Sequence, residues 1–384
     1  MNYIYFDQAA SSFPKPDKVG QAVLEAINEY GANPGRGGHS LAVRANDVIF
    51  TARKKIAAMF GERNPANVCF YLNATQALNQ AIQGIPFDEG DHVISTSFEH
   101  NSVRRPLEKL KETKGIVISY IQPDENGSTM LELLENEIND RTKAIVVSHG
   151  SNVTGTILPI KELGKIASER NLLFVVDASH SAGVLPIDIK EMNIDLLAFP
   201  GHKGLMGPQG TGVLIIRDHV DLTPLIYGGT GSHSEEIGQP LKRPERYESG
   251  TLNTPGIAGL LAGVEEINSV GLDHIYEHEA KLTTYCLDKL TQIDGIRILG
   301  PGAGRPRLAV ISFTIEGIDV HEAAMILDQH YQIGVRSGLH CSPLAHSLMG
   351  TGEVGAIRVS FGLYNTIEEI DQFIEAVKEI KSFF

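Results

Sequence analysis

The sequence predicts an α/β fold, with a large domain built on a mainly parallel seven-stranded sheet and a smaller α+β C-terminal domain. Helical stretches separate most of the seven short apolar runs that predict these strands, at 68–72, 92–95, 116–120, 144–147, 172–176, 195–199 and 213–216. This alternation is typical of a parallel sheet covered by helices on both faces. After Pro255 the pattern changes to a long helical region. We therefore expect the large domain at 15–255, and the small domain at 256–384 together with 1–14.

The remaining elements follow from the same periodicities. Residues 17–30 and 43–60 have the spacing of amphipathic helices and precede the first predicted strand. Residues 256–292 also have helical spacing and end before a Gly/Pro break at 300–304. Beyond it, the pattern predicts strands at 309–315 and 356–361 and helices at 319–330 and 366–381.

Composition excludes several classes of protein. The 384 residues are 42% hydrophobic and 21% charged, with a net charge of −14, which argues against a nucleic-acid partner. No apolar run approaches the length of a membrane span, and residues 1–7 lack the features of a signal peptide. The three cysteines, Cys69, Cys286 and Cys341, are too few and scattered for a disulfide framework. A cytoplasmic location fits these observations best, and no metal site is expected.

Two predicted strands end in ionisable residues that suggest a chemistry. The run 172–176 leads into Asp177, and the run 195–199 leads into Pro200-Gly201-His202-Lys203. Ligands of open α/β sheets bind beyond the carboxyl ends of parallel strands. An amine for a Schiff base and a carboxylate for a pyridinium nitrogen are what pyridoxal phosphate (PLP) requires. The alternatives are an Asp that caps a helix and a solvated surface Lys.

Other polar segments follow predicted strands. The turn at Asn73-Ala74-Thr75 precedes a helix, where free amides favour a phosphate, although helix capping explains it equally. His100 follows another strand and suits stacking on a flat ring, with a satisfied histidine as the alternative. Residues 151–155 and 247–255 offer further donors, or are ordinary turns and helix entries.

The C-terminal part contains a cysteine in a loop of small residues, Arg336-Ser337-Gly338-Leu339-His340-Cys341. We expect Arg336 and His340 to lower the pKa of this thiol, as a nucleophile requires. Further on, Arg358 stands in an apolar strand. Its buried guanidinium needs an anionic partner, either a substrate carboxylate or a structural one.

Nearly end to end, the chain resembles the cysteine desulfurases of the class V, fold-type I PLP enzymes. The short Arg-Ser-Gly-x-His-Cys loop resembles their SUF-type (group II) branch. The motifs that carry the resemblance, in order, are Phe6-Asp7-Gln8-Ala9-Ala10, Arg36-Gly37-Gly38-His39, Asn73-Ala74-Thr75, Glu99-His100, Ser151-Asn152-Val153-Thr154-Gly155, Val176-Asp177-Ala178, Gly201-His202-Lys203, Ser249-Gly250-Thr251-Leu252-Asn253-Thr254 and the Cys341 loop.

The resemblance implies roles for individual residues. Lys203 would carry PLP, Asp177 would contact its ring nitrogen, and His100 would stack on the ring and assist catalysis. The phosphate would be held by Ala74, Thr75, His202 and the partner subunit's Thr251. Asn152 and His180 would lie near the phenolic oxygen. Arg358, with Asn152 and Arg336, would bind the substrate, and Cys341 would accept its sulfur.

The implied activity is conversion of L-cysteine to L-alanine by a homodimer, with a persulfide on Cys341 that supplies a sulfur-acceptor protein for iron–sulfur clusters or other thio-cofactors. The alternatives are a selenocysteine lyase, a class V aminotransferase that does not need Cys341, and a non-catalytic binding protein. Gln8, His180 and Leu339 depart from the family's usual Asn, Gln and His.

Overall fold

The computed structural model of this chain describes residues 3–35, 38–124, 126–232 and 235–383. Within these residues, eleven α-helices form: α1 (Asp17–Glu29), α2 (Ser40–Met59), α3 (Ala74–Gln83), α4 (Asn101–Lys114), α5 (Met130–Glu137), α6 (Ile160–Glu169), α7 (Thr254–Val270), α8 (Leu272–Leu290), α9 (Val320–Tyr331), α10 (Pro343–Leu348) and α11 (Ile367–Phe383). None of the described helices is long and apolar enough to cross a membrane.

The same described residues form thirteen strands: β1 (Ile4–Tyr5), β2 (Val68–Tyr71), β3 (His92–Thr96), β4 (Val117–Ile121), β5 (Thr142–Ser148), β6 (Leu173–Asp177), β7 (Leu196–Pro200), β8 (Gly212–Ile216), β9 (Ile296–Leu299), β10 (Val310–Ile315), β11 (Ile333–Gly334), β12 (Arg336–Gly338) and β13 (Ala356–Ser360).

The large sheet has seven strands in the order β2-β8-β7-β6-β5-β3-β4. β8 is antiparallel to both of its neighbours, whereas the other neighbouring pairs are parallel. The link 201–211 between β7 and β8 is too short for the crossover that a parallel pair needs, so the chain turns straight back. The predicted mainly parallel, seven-stranded sheet is confirmed, and six of its strands end at one edge.

Helices cover both faces of this sheet, as the apolar runs predict. Ile145 and Val147 of β5 belong to the core that also contains residues of α2 and α6. Ala144 and Val146, which alternate with them, belong to the core formed with α3 and α4. Because both faces of β5 are buried, the strand is apolar at consecutive positions, which made it recognisable in the sequence.

The C-terminal part forms a four-stranded antiparallel sheet in the order β12-β13-β10-β9. Helices α8, α9 and α11 share a core with it. The long helical region is two helices, because Gly271 adopts a φ of +91° between α7 and α8. Helix α7 packs with α1 and α2, so the contacts of the first part continue beyond residue 255. The division of the chain into two domains stays a prediction.

Candidate active site

Three parallel strands bring polar residues to one edge of the large sheet. Ser148 at the end of β5 is in register with Asp177 at the end of β6, and Asp177 is in register with Ala198 of β7. The loops that follow these strands contain Asn152, His180 and Lys203. Eight of the predicted site residues line one cavity of about 600 Å³: Ala74, Thr75, His100, Asn152, Asp177, His180, His202 and Lys203.

Lys203 and His180 form the centre of this cavity. The Nζ of Lys203 lies 2.9 Å from the Nε2 of His180. Burial, with a contribution from the nearby Arg358, lowers the pKa of Lys203 to about 8. Burial and the Lys203 charge hold the pKa of His180 well below its usual value. The neutral imidazole therefore accepts a hydrogen bond from the ammonium, and Lys203 loses its proton more readily than a surface lysine.

Asp177 lies deep in the cavity and is 4% exposed. Its Oδ1 accepts hydrogen bonds from the backbone N–H and the hydroxyl of Ser179, at 2.9 and 2.5 Å. These bonds fix the carboxylate at the strand end. The structure assigns no partner among the described residues to the second carboxylate oxygen, which leaves an acceptor for a ligand.

The amino end of α3 forms one wall of the cavity. Asn73 caps this helix by accepting a hydrogen bond from the N–H of Gln76 at 2.9 Å. The amides of Ala74 and Thr75 belong to the first turn, where no partner exists within a helix. The hydroxyl of Thr75 lies 2.8 Å from that of Ser102. Free amides and hydroxyls at a helix amino end suit a phosphate group.

Gly212 of β8 lies directly against this turn. A Cβ atom on Gly212 would approach the carbonyl carbon of Asn73 to 2.4 Å. The close approach requires glycine here, and it sets the start of α3 relative to the sheet edge.

His100 caps α4 and also faces the cavity. Its Nδ1 accepts a hydrogen bond from the N–H of Ser102 at 3.1 Å, which places the ring proton on Nε2. Burial lowers the pKa of His100 to about 4, so the ring is neutral at neutral pH. His202, whose pKa is lowered to about 4 by burial and by Lys203, has a buried Nδ1 without a hydrogen-bond partner among the described residues.

A buried acid, Glu99, lies beside His100 and was not among the predicted site residues. Glu99 accepts hydrogen bonds from the hydroxyl of Thr96 at 2.6 Å and from the hydroxyl of Ser148 at 2.7 Å. Burial, with a small contribution from the Asp177 charge, raises the pKa of Glu99 to about 7 against the effect of these bonds. Glu99 thus links the ends of β3 and β5 beneath the cavity. The Glu-His pair in the sequence was the available signal.

Arg358 has a structural carboxylate as its partner. Its Nη2 donates to the Oδ1 of Asp7 at 2.8 Å, and its Nη1 donates to the carbonyl oxygen of Asn152 at 3.2 Å. Burial lowers the pKa of Arg358, while Asp7 opposes this shift. Arg336 is in register with Arg358 on the neighbouring strand, and its guanidinium forms no ion pair with any residue that the structure describes. Both arginines keep donors for a ligand, because the buried Nε of Arg358 also has no partner among the described residues.

Cys341 stands on a turn held from several sides. The side chain of Asn152 donates to the carbonyl oxygen of His340 and accepts from the hydroxyl of Ser342, both at 2.7 Å. The backbone N–H of Asn101, next to His100, donates to the carbonyl oxygen of Cys341 at 2.8 Å. These bonds connect the turn to two loops of the cavity. Cys341 is exposed, whereas Cys69 and Cys286 are buried.

A positive charge on His340 is not the means by which this residue could assist the thiol. Burial, together with the Arg358 charge, lowers the pKa of His340 to about 2. The ring therefore stays neutral and cannot stabilise a thiolate as a cation. The burial of His340 was not predictable from the sequence, in which it lies in a loop of small residues.

Thr251 lies apart from the cavity in this chain. It is exposed, and its hydroxyl lies 3.5 Å from the side-chain nitrogen of Asn33. Of the motif at 36–39, Arg36 and Gly37 lie outside the described residues, while His39 caps α2 by accepting from the N–H of Ala42 at 3.4 Å.

The comparisons agree with this geometry. The family model described as Aminotransferase class-V matches residues 4–373. A probable cysteine desulfurase of Methanothermobacter thermautotrophicus is 36% identical, over 99% of this chain and 95% of that protein. Another from Pyrococcus abyssi is 37% identical, over 98% of this chain and 94% of that protein. The apo structure of the cysteine desulfurase from Thermococcus onnurineus NA1 matches with a TM-score of 0.94 at 35% identity, covering 100% of this chain and 95% of that one.

The chain therefore belongs to the class V aminotransferase family, within its cysteine desulfurases. The predicted family and the predicted fold are both confirmed.

Proposed function

We propose that this chain uses PLP to convert L-cysteine to L-alanine and that Cys341 receives the sulfur as a persulfide. One observation carries the proposal. The exposed Cys341 is joined through the side chain of Asn152 to the cavity that contains Lys203 and Asp177. An exposed thiol on a turn bonded to a cavity that holds an amine and a carboxylate suits sulfur removal from an amino acid better than amino-group transfer alone.

The residues of the cavity fit PLP. The amides of Ala74 and Thr75 and the Nδ1 of His202, which bond to none of the described residues, offer donors for its phosphate. The carboxylate oxygen of Asp177 that has no partner in the described part of the chain suits a protonated pyridine nitrogen, and the ring of His100 offers a flat surface. When bound, PLP supplies an electron sink that makes the Cα proton of the amino acid removable.

The chain's own residues would then divide the work. Lys203, with its pKa lowered to about 8, holds and releases a proton close to neutral pH. Arg358 would hold the substrate carboxylate through its Nε, since Asp7 occupies its Nη2, and Arg336, which has no ion-pair partner among the described residues, would assist it. The sulfur of Cys341 attacks the substrate sulfur, forming an S–S bond as the bond from that sulfur to Cβ breaks. The electron pair stays with the substrate carbon, and protonation yields alanine.

A second copy of this chain would complete the site with the partner subunit's Thr251. Thr251 and the apolar Phe50 both line a surface groove of about 1650 Å³. Phe50, Ile226 and Tyr227 are 52%, 48% and 63% exposed in the single chain. Their burial against a second copy would stabilise a homodimer. The sulfur-acceptor protein and the cytoplasmic location stay predictions.

The proposal is tested with Cys341→Ser and with Cys69→Ser as a matched control. The parent and Cys69→Ser should form alanine and sulfide from L-cysteine in a reducing assay, whereas Cys341→Ser should form neither above background. All three should keep the visible absorbance of bound PLP. Full desulfurase activity in Cys341→Ser would contradict the role of the thiol. Activity with a keto acid that survives Cys341→Ala would indicate an aminotransferase, and preferential turnover of selenocysteine would indicate a lyase.

A further inference from the structure

Behind Cys341, three buried side chains form a hydrogen-bonded row. The Nδ1 of His340 lies 3.1 Å from the Nε2 of His346, and the Nδ1 of His346 lies 2.9 Å from the hydroxyl of Thr351. The residues are 4%, 0% and 3% exposed, respectively. His346 and Thr351 belong to none of the motifs that identify the site.

The row is neutral. Burial, with a smaller contribution from the Arg358 charge, lowers the pKa of His346 to about 4 and that of His340 to about 2. Between two neutral rings, one nitrogen donates and the other accepts, so a single proton holds the rings together. An additional proton would place a third positive charge near Arg336 and Arg358. The row therefore provides position rather than charge.

The turn that the row supports has an unfavourable backbone. His340 and Cys341 have φ values of +49° and +58°, and neither is glycine or asparagine. A left-handed conformation of this kind costs about 1–2 kcal/mol per residue, so surrounding contacts must maintain it. Hydrogen bonds hold the turn from the cavity side, and they involve Asn152, Ser342 and Asn101. His346 holds the side chain of His340 from the interior.

We propose that His346 is a positioning residue for Cys341. With Thr351 behind it, it anchors His340 and so keeps the thiol on a fixed left-handed turn facing the substrate. This inference rests on the proposed function, because it assigns the fixed orientation to sulfur transfer.

The test compares His346→Leu with His346→Gln and Thr351→Val. Leu removes the hydrogen bond to His340, whereas the amide of Gln can restore it. Misplacing a reacting atom by about 1 Å lowers the rate about 10- to 100-fold, so we expect a loss of that size in the kcat of His346→Leu. The KM for L-cysteine should stay close to that of the parent. His346→Gln should recover most of the rate, and Thr351→Val should show a smaller loss.

A second readout does not depend on the reaction. Since Cys69 and Cys286 are buried, iodoacetamide reports on Cys341, with Cys341→Ser as the background. Release of the turn should raise the alkylation rate of His346→Leu, with or without PLP, while its kcat falls. The matched control is His92→Leu. His92 is also buried, with its ring nitrogens 2.9 and 3.0 Å from hydroxyls of Thr142 and Ser119, but it lies at the amino end of β3.

An unchanged kcat in folded His346→Leu would overturn the proposal. So would a fall of kcat with a rise of alkylation that is equal in His346→Leu and His92→Leu, since general destabilisation exposes cysteines and would produce both changes in each variant. These outcomes are separate from failure of the proposed function. If Cys341→Ser remained active, the role in desulfuration would fail, while the alkylation rates would still report whether His346 holds the turn.

Discussion

Glu279 of α8 should make the stability of the fold depend on pH. This residue is 8% exposed and lines a cavity of about 650 Å³ on the other side of the Lys203–His180 pair. Its side chain forms no hydrogen bond or ion pair with any residue in the described part of the chain. Burial alone raises its pKa from 4.5 to about 8. We therefore expect Glu279 to be protonated in the folded protein at neutral pH.

The sign and size of the effect follow from this difference. Above pH 4.5 the unfolded chain releases the proton of Glu279, while the folded chain keeps it up to about pH 8. The folded state then binds more protons, so the free energy of unfolding falls as pH rises through this interval. At about 1.4 kcal/mol per pKa unit, the full loss is at most about 5 kcal/mol.

The assay is urea unfolding of Glu279→Gln and the parent at pH 5, 6.5 and 8. Gln has nearly the same shape and does not ionise, so the variant should gain stability over the parent progressively between pH 5 and 8. Glu277→Gln, at an exposed position of the same helix, is the matched control and should show no such trend. A difference between Glu279→Gln and the parent that is constant across this pH range would refute the reasoning.

Two further variants test the site. Asp7→Asn removes the carboxylate from Arg358, which is 2% exposed, and should lower the free energy of unfolding in urea by about 3–5 kcal/mol. Adding Arg358→Met should recover much of that loss. Additive losses in the double variant would contradict the pairing. Gly212→Ala places a Cβ 2.4 Å from the carbonyl carbon of Asn73 and should displace the first turn of α3. Overpacking of this kind costs about 1–3 kcal/mol; if the bound site bears this cost, the Kd for PLP in a fluorescence titration should rise about 5- to 150-fold. Gly20→Ala, where a Cβ meets nothing within 4 Å, is its control, and equal affinities of the two variants would contradict the prediction.

The large sheet was predictable because its strands are buried on both faces. Consecutive apolar residues such as 144–147 have no other simple explanation, and ionisable residues at the ends of β6 and β7 indicated the edge used by the site. The direction of β8 was not predictable from its own residues, since the short link before it determines that direction. The short strands β9 and β12 also lack a long apolar run, and they form only because β10 and β13 offer partners.

The convergence of part of the site was predictable because parallel strands end at one sheet edge. Lys203 and Asp177 line one cavity there, and Cys341 lies on a turn bonded to Asn152 of that cavity, while the roles of all three stay predictions. Partners chosen by the tertiary structure were not predictable. The carboxylate beside Arg358 comes from Asp7, which is 351 positions away in the sequence. The neutrality of His340 likewise depends on burial by residues distant in sequence.

The pairing of β1 with β11 has a consequence for the order in which the protein is made. Ile4 pairs with Ile333, and Asp7 forms a bridge with Ser360. At the usual 5–20 residues per second, a ribosome adds Ile333 roughly 15–60 s after Ile4. During this interval, the segment around Asp7 has neither its strand partner nor Arg358. The charge balance around Arg358 is therefore established only after the ribosome has added this residue, long after it has added Asp7.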